Sequence, residues 1–191
     1  MNNKYFCELA NAIDGTTVSG TDERLFLYND GLEVLINKIR DCKAMNARLF
    51  FIGNGGSAAI ASHMTADFLK NGGMQTCSLY DSAVITCIGN DYGYEHIFAK
   101  PLNQLGKPGD FLVAISSSGD SPNIVRAIQT AKEKEIFVIT FTGFKADNRV
   151  RQMGNLNVYV PCEEYGKVES IHQIILQQIV DTILEQDGVG L

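Results

Sequence analysis

The sequence predicts an α/β protein, a parallel sheet with helices packed on both faces, and three observations carry that prediction. Unbroken apolar runs such as Phe111 to Ile115 and Ile136 to Phe141 read as strands buried on both sides. Segments with helical spacing alternate with them along the chain. Two of the runs empty into turns of small residues that open directly onto a helix: FLVAISSSGDS at Phe111 to Ser121, and LFFIG at Leu49 to Gly53 followed by Asn54, Gly55, Gly56 and Ser57.

In order, Tyr5, Phe6, Leu9 and Ile13 begin a short amphipathic helix that breaks at Gly15, Thr16 and Gly20. From about Thr21 to Cys42, Leu25, Leu27, Leu32, Leu35, Ile36 and Ile39 recur at roughly helical spacing and predict a second helix. This pair, an extension over about 1–46, would cover its own sheet or pack on another subunit. Leu49 to Gly53 is the first strand and AAIASHMTADFL its helix. Thr76 to Tyr80 is a short strand, and Asp81 caps a helix that runs to Ile88 and ends at Gly89, Asn90 and Asp91. Tyr92 to Leu105 reads as helical. After the strand at Phe111, Pro122 falls at a helix start, where its missing N–H costs nothing, and the helix runs to Lys134. A short helix at about Asp147 to Met153, a strand at Leu156 to Val160 and a long helix from about Gly166 to Glu185 complete one domain over residues 1–191.

A chain of 191 residues with 45% hydrophobic and 20% charged side chains buries a core without staples. A net charge of −6 argues against a nucleic-acid surface, which needs a basic footprint. The sequence shows neither a membrane-length apolar run nor a signal-peptide layout, so the expected compartment is the cytoplasm. Cys7, Cys42, Cys77, Cys87 and Cys162 are odd in number, scattered and free of CxxC pairs, and read as buried thiols.

The two Ser/Gly turns are the candidate site. N–H groups in the first turn of a helix lack intrahelical partners and lie at the positive end of its dipole, so an anion can be held there without Lys or Arg. Ser116, Ser117, Ser118 and Ser121 add neutral donors; taken alone, the same residues also make an ordinary capped βα loop. Neither turn carries a Gly-Lys-Ser/Thr phosphate loop or GxGxxG, so no nucleotide cofactor is expected. His63 and Asp67 stand four apart on one helix and share a face. They suit a base beside an orienting imidazole, a pair of metal ligands, or a half-buried residue next to a solvated one.

Three segments together, GNGGSAAIASHMTADF, CIGNDYGYEHIF and ISSSGDSPNIVRAI, resemble the SIS (sugar isomerase) domain and within it the phosphoheptose isomerase branch, over about Gly31 to Glu185. The resemblance implies a three-layer α/β/α sandwich with a five-stranded parallel sheet, a homotetramer with sites at subunit interfaces, and conversion of a seven-carbon ketose phosphate to its aldose. Phosphate would sit on Ser116, Ser117, Ser118 and Ser121, and sugar on Asn54, Gly55, Gly56, Ser57, Asn90 and Asp91. Isomerisation through an enediol needs a base and a carrier for oxygen charge. On this reading Asp67 or Glu169 is the expected base, His172, three residues on from Glu169, is a further candidate by its position alone, and His63, Asp67, Glu169 and Gln177 are the expected zinc ligands. The chain departs from the branch where it matters most. Asp67 stands for Glu, Glu169 for Gln, and Gln177 for the His that serves as acid and zinc ligand. Glu169 and His172 would either serve the site, His172 from an adjoining subunit, or form a structural pair. The other expectation is a non-catalytic SIS protein that binds a sugar phosphate as sensor or scaffold.

Overall fold

A computed structural model of the chain describes residues 3–21 and 24–189. In chain order the elements are α1 (Lys4–Asp14), β1 (Thr17–Gly20), β2 (Leu25–Leu27), α2 (Tyr28–Ala44), β3 (Arg48–Ile52), α3 (Gly56–Lys70), β4 (Gln75–Cys77) and α4 (Ser82–Tyr92). They continue with α5 (Ala99–Leu105), β5 (Phe111–Ser116), α6 (Pro122–Glu133), β6 (Phe137–Thr142), β7 (Leu156–Tyr159) and α7 (Tyr165–Gln186), with short 3-10 turns at Tyr94–His96 and Val150–Gln152.

The strands form one sheet in the order β2-β1-β7-β6-β5-β3-β4. The five from β7 to β4 are parallel, as expected. Two-residue alternation explains why both faces are buried. Leu49 and Phe51 point into the layer built with α1, α2, α3 and α7, while Phe50 and Ile52 point into the layer beneath α5 and α6. β5 repeats the pattern, Val113 and Ile115 on one side and Leu112 and Ala114 on the other.

The N-terminal segment differs from expectation. β1 and β2 pair antiparallel, β1 also pairing with β7, so among the described residues the sheet has seven strands and the extension is not purely helical. Leu25 and Leu27 belong to the outer strand and are exposed (61% and 70%), while Phe26 between them turns inward. Their period is two, and only their proximity to Leu32 and Leu35 gave the impression of one long helix. Part of the predicted helix start, residues 22 and 23, lies outside the described residues. The pair of β1 and β2 is held by α2, where Gly31 meets Val18 so closely that a Cβ would come within 2.5 Å of Val18 Cγ2.

Of the thiols expected to be buried, Cys42 is, and burial pushes its pKa up to about 12. Cys77 and Cys162 are partly covered, whereas Cys7 and Cys87 are exposed, each lying on the outer side of a surface helix; all five are free. No helix among the described residues is long and apolar enough to cross a membrane.

Candidate active site

The strand order reverses direction at β3, whose neighbours are β4 on one side and β5 on the other. Loops leaving the carboxyl ends of β3 and β5 therefore diverge and leave a crevice between them, where open α/β sheets take their ligands. The two Ser/Gly turns occupy those positions. They line a common cavity of about 250 Å³ with Asn54, Gly55, Gly56 and Ser57 from one, Ser116, Ser117, Ser118 and Ser121 from the other, and Tyr165 and Glu169 from α7. A larger cleft of about 570 Å³ lies where strands begin, beside Phe111 and Phe137 at the opposite end of the sheet, and it gathers no such set of hydroxyls.

Each turn is fixed by its own backbone. Gly53 exchanges two hydrogen bonds with the Tyr80 hydroxyl, its N–H donating at 2.7 Å and its carbonyl accepting at 2.9 Å. Gly55 takes φ +53 to start α3. In the second turn Gly119 has φ +72, and a Cβ there would run into the Asn148 side chain. The N–H of Gly143 donates to the Ser117 carbonyl at 3.0 Å and that of Val150 to the Gly119 carbonyl at 2.8 Å. The turns are also tied to each other: Asn54 and the buried Asn123 of α6 exchange reciprocal amide hydrogen bonds of 2.9 and 2.8 Å, and the Tyr94 hydroxyl donates to Asn54 Oδ1 at 3.0 Å.

The cavity's positive potential comes from neutral groups. No Lys or Arg is among its lining residues, and both α3 and α6 begin at it, so two helix N-termini supply the positive potential. Ser121 is the N-cap residue of α6 and makes no side-chain cap bond. The hydroxyls of Ser116 and Ser117 are buried without a hydrogen-bond partner among the described residues. Buried hydroxyls without partners cost about 1–3 kcal/mol each, and an arriving acceptor removes that cost. Glu169 is the one carboxylate on the lining. It lies against Gly56, where an added Cβ would meet its Cδ at 2.6 Å.

Other predicted site residues lie elsewhere. Asn90 and Asp91, at the exposed end of α4, hydrogen bond to each other at 2.8 Å and do not line the cavity. His172 neither pairs with Glu169 nor faces solvent. It is fully buried against Phe141, its Nε2–H donating to the Thr142 carbonyl at 3.2 Å, and burial pushes its pKa down to about 4. It follows Val168 and precedes Leu176 on a buried stripe, a spacing of four already visible in the sequence.

His63 is exposed on α3. Asp67, further along that helix, is bonded at one oxygen by Asn71 and at the other by Gln177 Nε2 at 2.9 Å. Glu169 and Gln177 are eight residues apart on α7, about 12 Å along its axis. The four residues implied for zinc thus do not converge within one chain, and among the described residues no three His, Cys, Asp or Glu gather as ligands. Sequence reasoning missed Asn123, Tyr80, Tyr94 and Tyr165. Only Asn123, directly after the helix-starting Pro122, carried a local signal.

Comparison with known proteins bears on this geometry. A family profile described as "SIS domain" matches residues 25–143. The phosphoheptose isomerase of Bordetella avium (strain 197N) is 37% identical over 149 residues, covering 73% of this chain and 75% of that protein. Two solved structures superpose over nearly the whole chain. The phosphoheptose isomerase GmhA of Neisseria gonorrhoeae gives a TM-score of 0.81 at 28% identity, covering 94% of each chain, and a phosphoheptose isomerase of Francisella tularensis gives 0.82 at 29%, covering 96% of each. The chain belongs to the SIS domain family, in its phosphoheptose isomerase branch.

Proposed function

We propose that the protein is a phosphosugar aldose–ketose isomerase acting on sedoheptulose 7-phosphate or a close relative. The observation that carries this is the cavity: two turns at a sheet switch point, buried serine hydroxyls without partners on one side, and a single carboxylate on the other. The phosphate binds Ser116, Ser117, Ser118 and Ser121 at the α6 N-terminus, and the carbonyl end of the sugar extends toward Gly55, Gly56, Ser57 and Glu169. Glu169 takes a proton from C1 of the ketose and returns it to C2. A second proton passes from O1 to O2, with the Ser57 hydroxyl and the α3 N–H groups carrying the oxygen charge of the enediol.

Zinc does not fit the donor set of one chain, and no step is routed through it. Assembly into a homotetramer with sites at subunit boundaries is part of the same reading. It is supported by α4, none of whose residues is buried although Val84, Ile85 and Ile88 lie on it, and by the position of His63 outside the cavity on an exposed face. A cytoplasmic setting accords with a phosphorylated substrate. The sensor or scaffold reading is not favoured, because a carboxylate stands in the cavity where binding alone would not need one.

The test is incubation of purified protein with sedoheptulose 7-phosphate, with NMR observation of C1. Aldose signals and exchange of solvent deuterium into C2 are expected. Binding without either outcome, across a panel of ketose phosphates, would leave the sensor reading standing instead.

A further inference from the structure

Along α7, Glu169, Gln173, Gln177 and Asp181 recur every four residues and form a half-buried polar stripe on an otherwise apolar helix. Gln177 is the centre of its second half. Its Nε2 lies 2.9 Å from Asp67 Oδ2 on α3 and 2.9 Å from Asp181 Oδ1 on α7. An amide placed between two carboxylates has one stable orientation, with its NH2 toward both, because turning the carbonyl oxygen inward would set three acceptors against one another. Each N–H then serves a different carboxylate, and the Asn71 amide serves the remaining Asp67 oxygen.

This arrangement bears directly on the metal that the resemblance implies. An amide nitrogen offers no lone pair to an ion, and Gln177 presents its nitrogen, where an imidazole would present a donor. Both oxygens of Asp67 already accept hydrogen bonds. The one-methylene shortening at Asp67 does not open a gap, since the pair closes across α3 and α7 at ordinary hydrogen-bond distance.

We infer that Asp67, Gln177 and Asp181 form a hydrogen-bonded clamp in place of a metal site and that the protein works without a divalent ion. The inference about turnover rests on the isomerase reading; the inference about metal does not.

The experiment has two arms on the full-length protein. In the first, wild type and Gln177→His are stripped with chelator, their metal content is measured by mass spectrometry, and zinc is titrated calorimetrically. Gln177→His is expected to bind zinc about 100-fold more tightly than wild type, and wild type to carry far less than one zinc as purified. Stoichiometric zinc in wild type, or equal zinc affinity in the two proteins, would overturn the proposal. In the second arm, chelator leaves wild-type turnover of sedoheptulose 7-phosphate within twofold. Zinc-dependent recovery of a chelator-inactivated wild type would count against it. If no sugar phosphate is turned over under any condition, the isomerase reading fails, and the zinc titration still decides the metal question.

Discussion

The serine and glycine turns and the facing pair of helices α3 and α7 are organised on opposite principles. The turns are held at their main chain: Gly53 N–H and C=O meet the Tyr80 hydroxyl, and the Ser117 and Gly119 carbonyls accept from the N–H groups of Gly143 and Val150, with one side-chain pair, Asn54 and Asn123, joining the two turns. Side chains there decorate a shape that the sheet has already set. The helix pair instead meets through side chains across a packed seam, where Gln177 bridges Asp67 and Asp181. A turn whose main chain is tied down at several points tolerates little change, whereas a helix seam accepts new polar sets as long as each member finds a hydrogen bond.

The largest expected effect tests whether chemistry and anchoring separate as this contrast requires. Glu169→Gln removes the base but keeps the shape of the lining, so kcat should fall about 10²- to 10⁴-fold with little change in affinity for the sugar phosphate. Steady-state kinetics and calorimetry read the two quantities separately. A loss of affinity as large as the loss of kcat would show that Glu169 belongs to the anchor. Gly56→Ala sharpens the point without touching a functional group. Its Cβ would displace the Glu169 carboxylate, and a shift of that kind should cost about 100-fold in kcat while phosphate binding at the serine turn survives.

The same contrast explains what could be read from the sequence. The five parallel strands, their helices and both turns were legible because each is a local pattern: an apolar run, small residues, then a helix start. The antiparallel pair β1 and β2 was not. Its Leu25 and Leu27 fall by coincidence on the helical spacing of Leu32 and Leu35, and its partner strand β7 lies more than a hundred residues away in sequence. Contacts across the seam were also hidden, since Asn54 with Asn123 and Asp67 with Gln177 depend on which helix packs on which. His172 was legible in principle. Val168, His172 and Leu176 mark the buried stripe and Glu169, Gln173 and Gln177 the polar one, but the three-residue step from Glu169 suggested pairing.

Smaller effects belong to the anchor itself, which spreads its hold over many donors. Ser116→Ala or Ser117→Ala removes one charge-assisted hydrogen bond to phosphate, about 1.5 kcal/mol or roughly tenfold in KM, with kcat nearly constant. Because each hydroxyl is buried and without a protein partner, neither change should lower the urea midpoint. A fall in stability with unchanged KM would reassign these serines to the core.

The smallest effect concerns the floor beneath the serine turn. Ser116 pairs in register with Thr142, whose carbonyl accepts from His172. Burial is the larger influence on that imidazole and favours its neutral form, opposed by the Thr142 carbonyl. The pKa falls from 6.5 to about 4 on folding. Between those values the unfolded chain binds a proton that the folded chain refuses, so stability is full above about pH 6.5 and declines as pH drops toward 4. The slope from this group approaches 1.4 kcal/mol per pH unit at most. His172→Leu should flatten that part of the stability profile while leaving stability at pH 8 within about 1–2 kcal/mol of wild type. The Thr142 carbonyl keeps a partner in that variant, since it also accepts the Val160 N–H at 2.9 Å. Urea titrations at a series of pH values would check this. An undiminished slope in His172→Leu would move the acid sensitivity to surface carboxylates and away from the floor of the anchor.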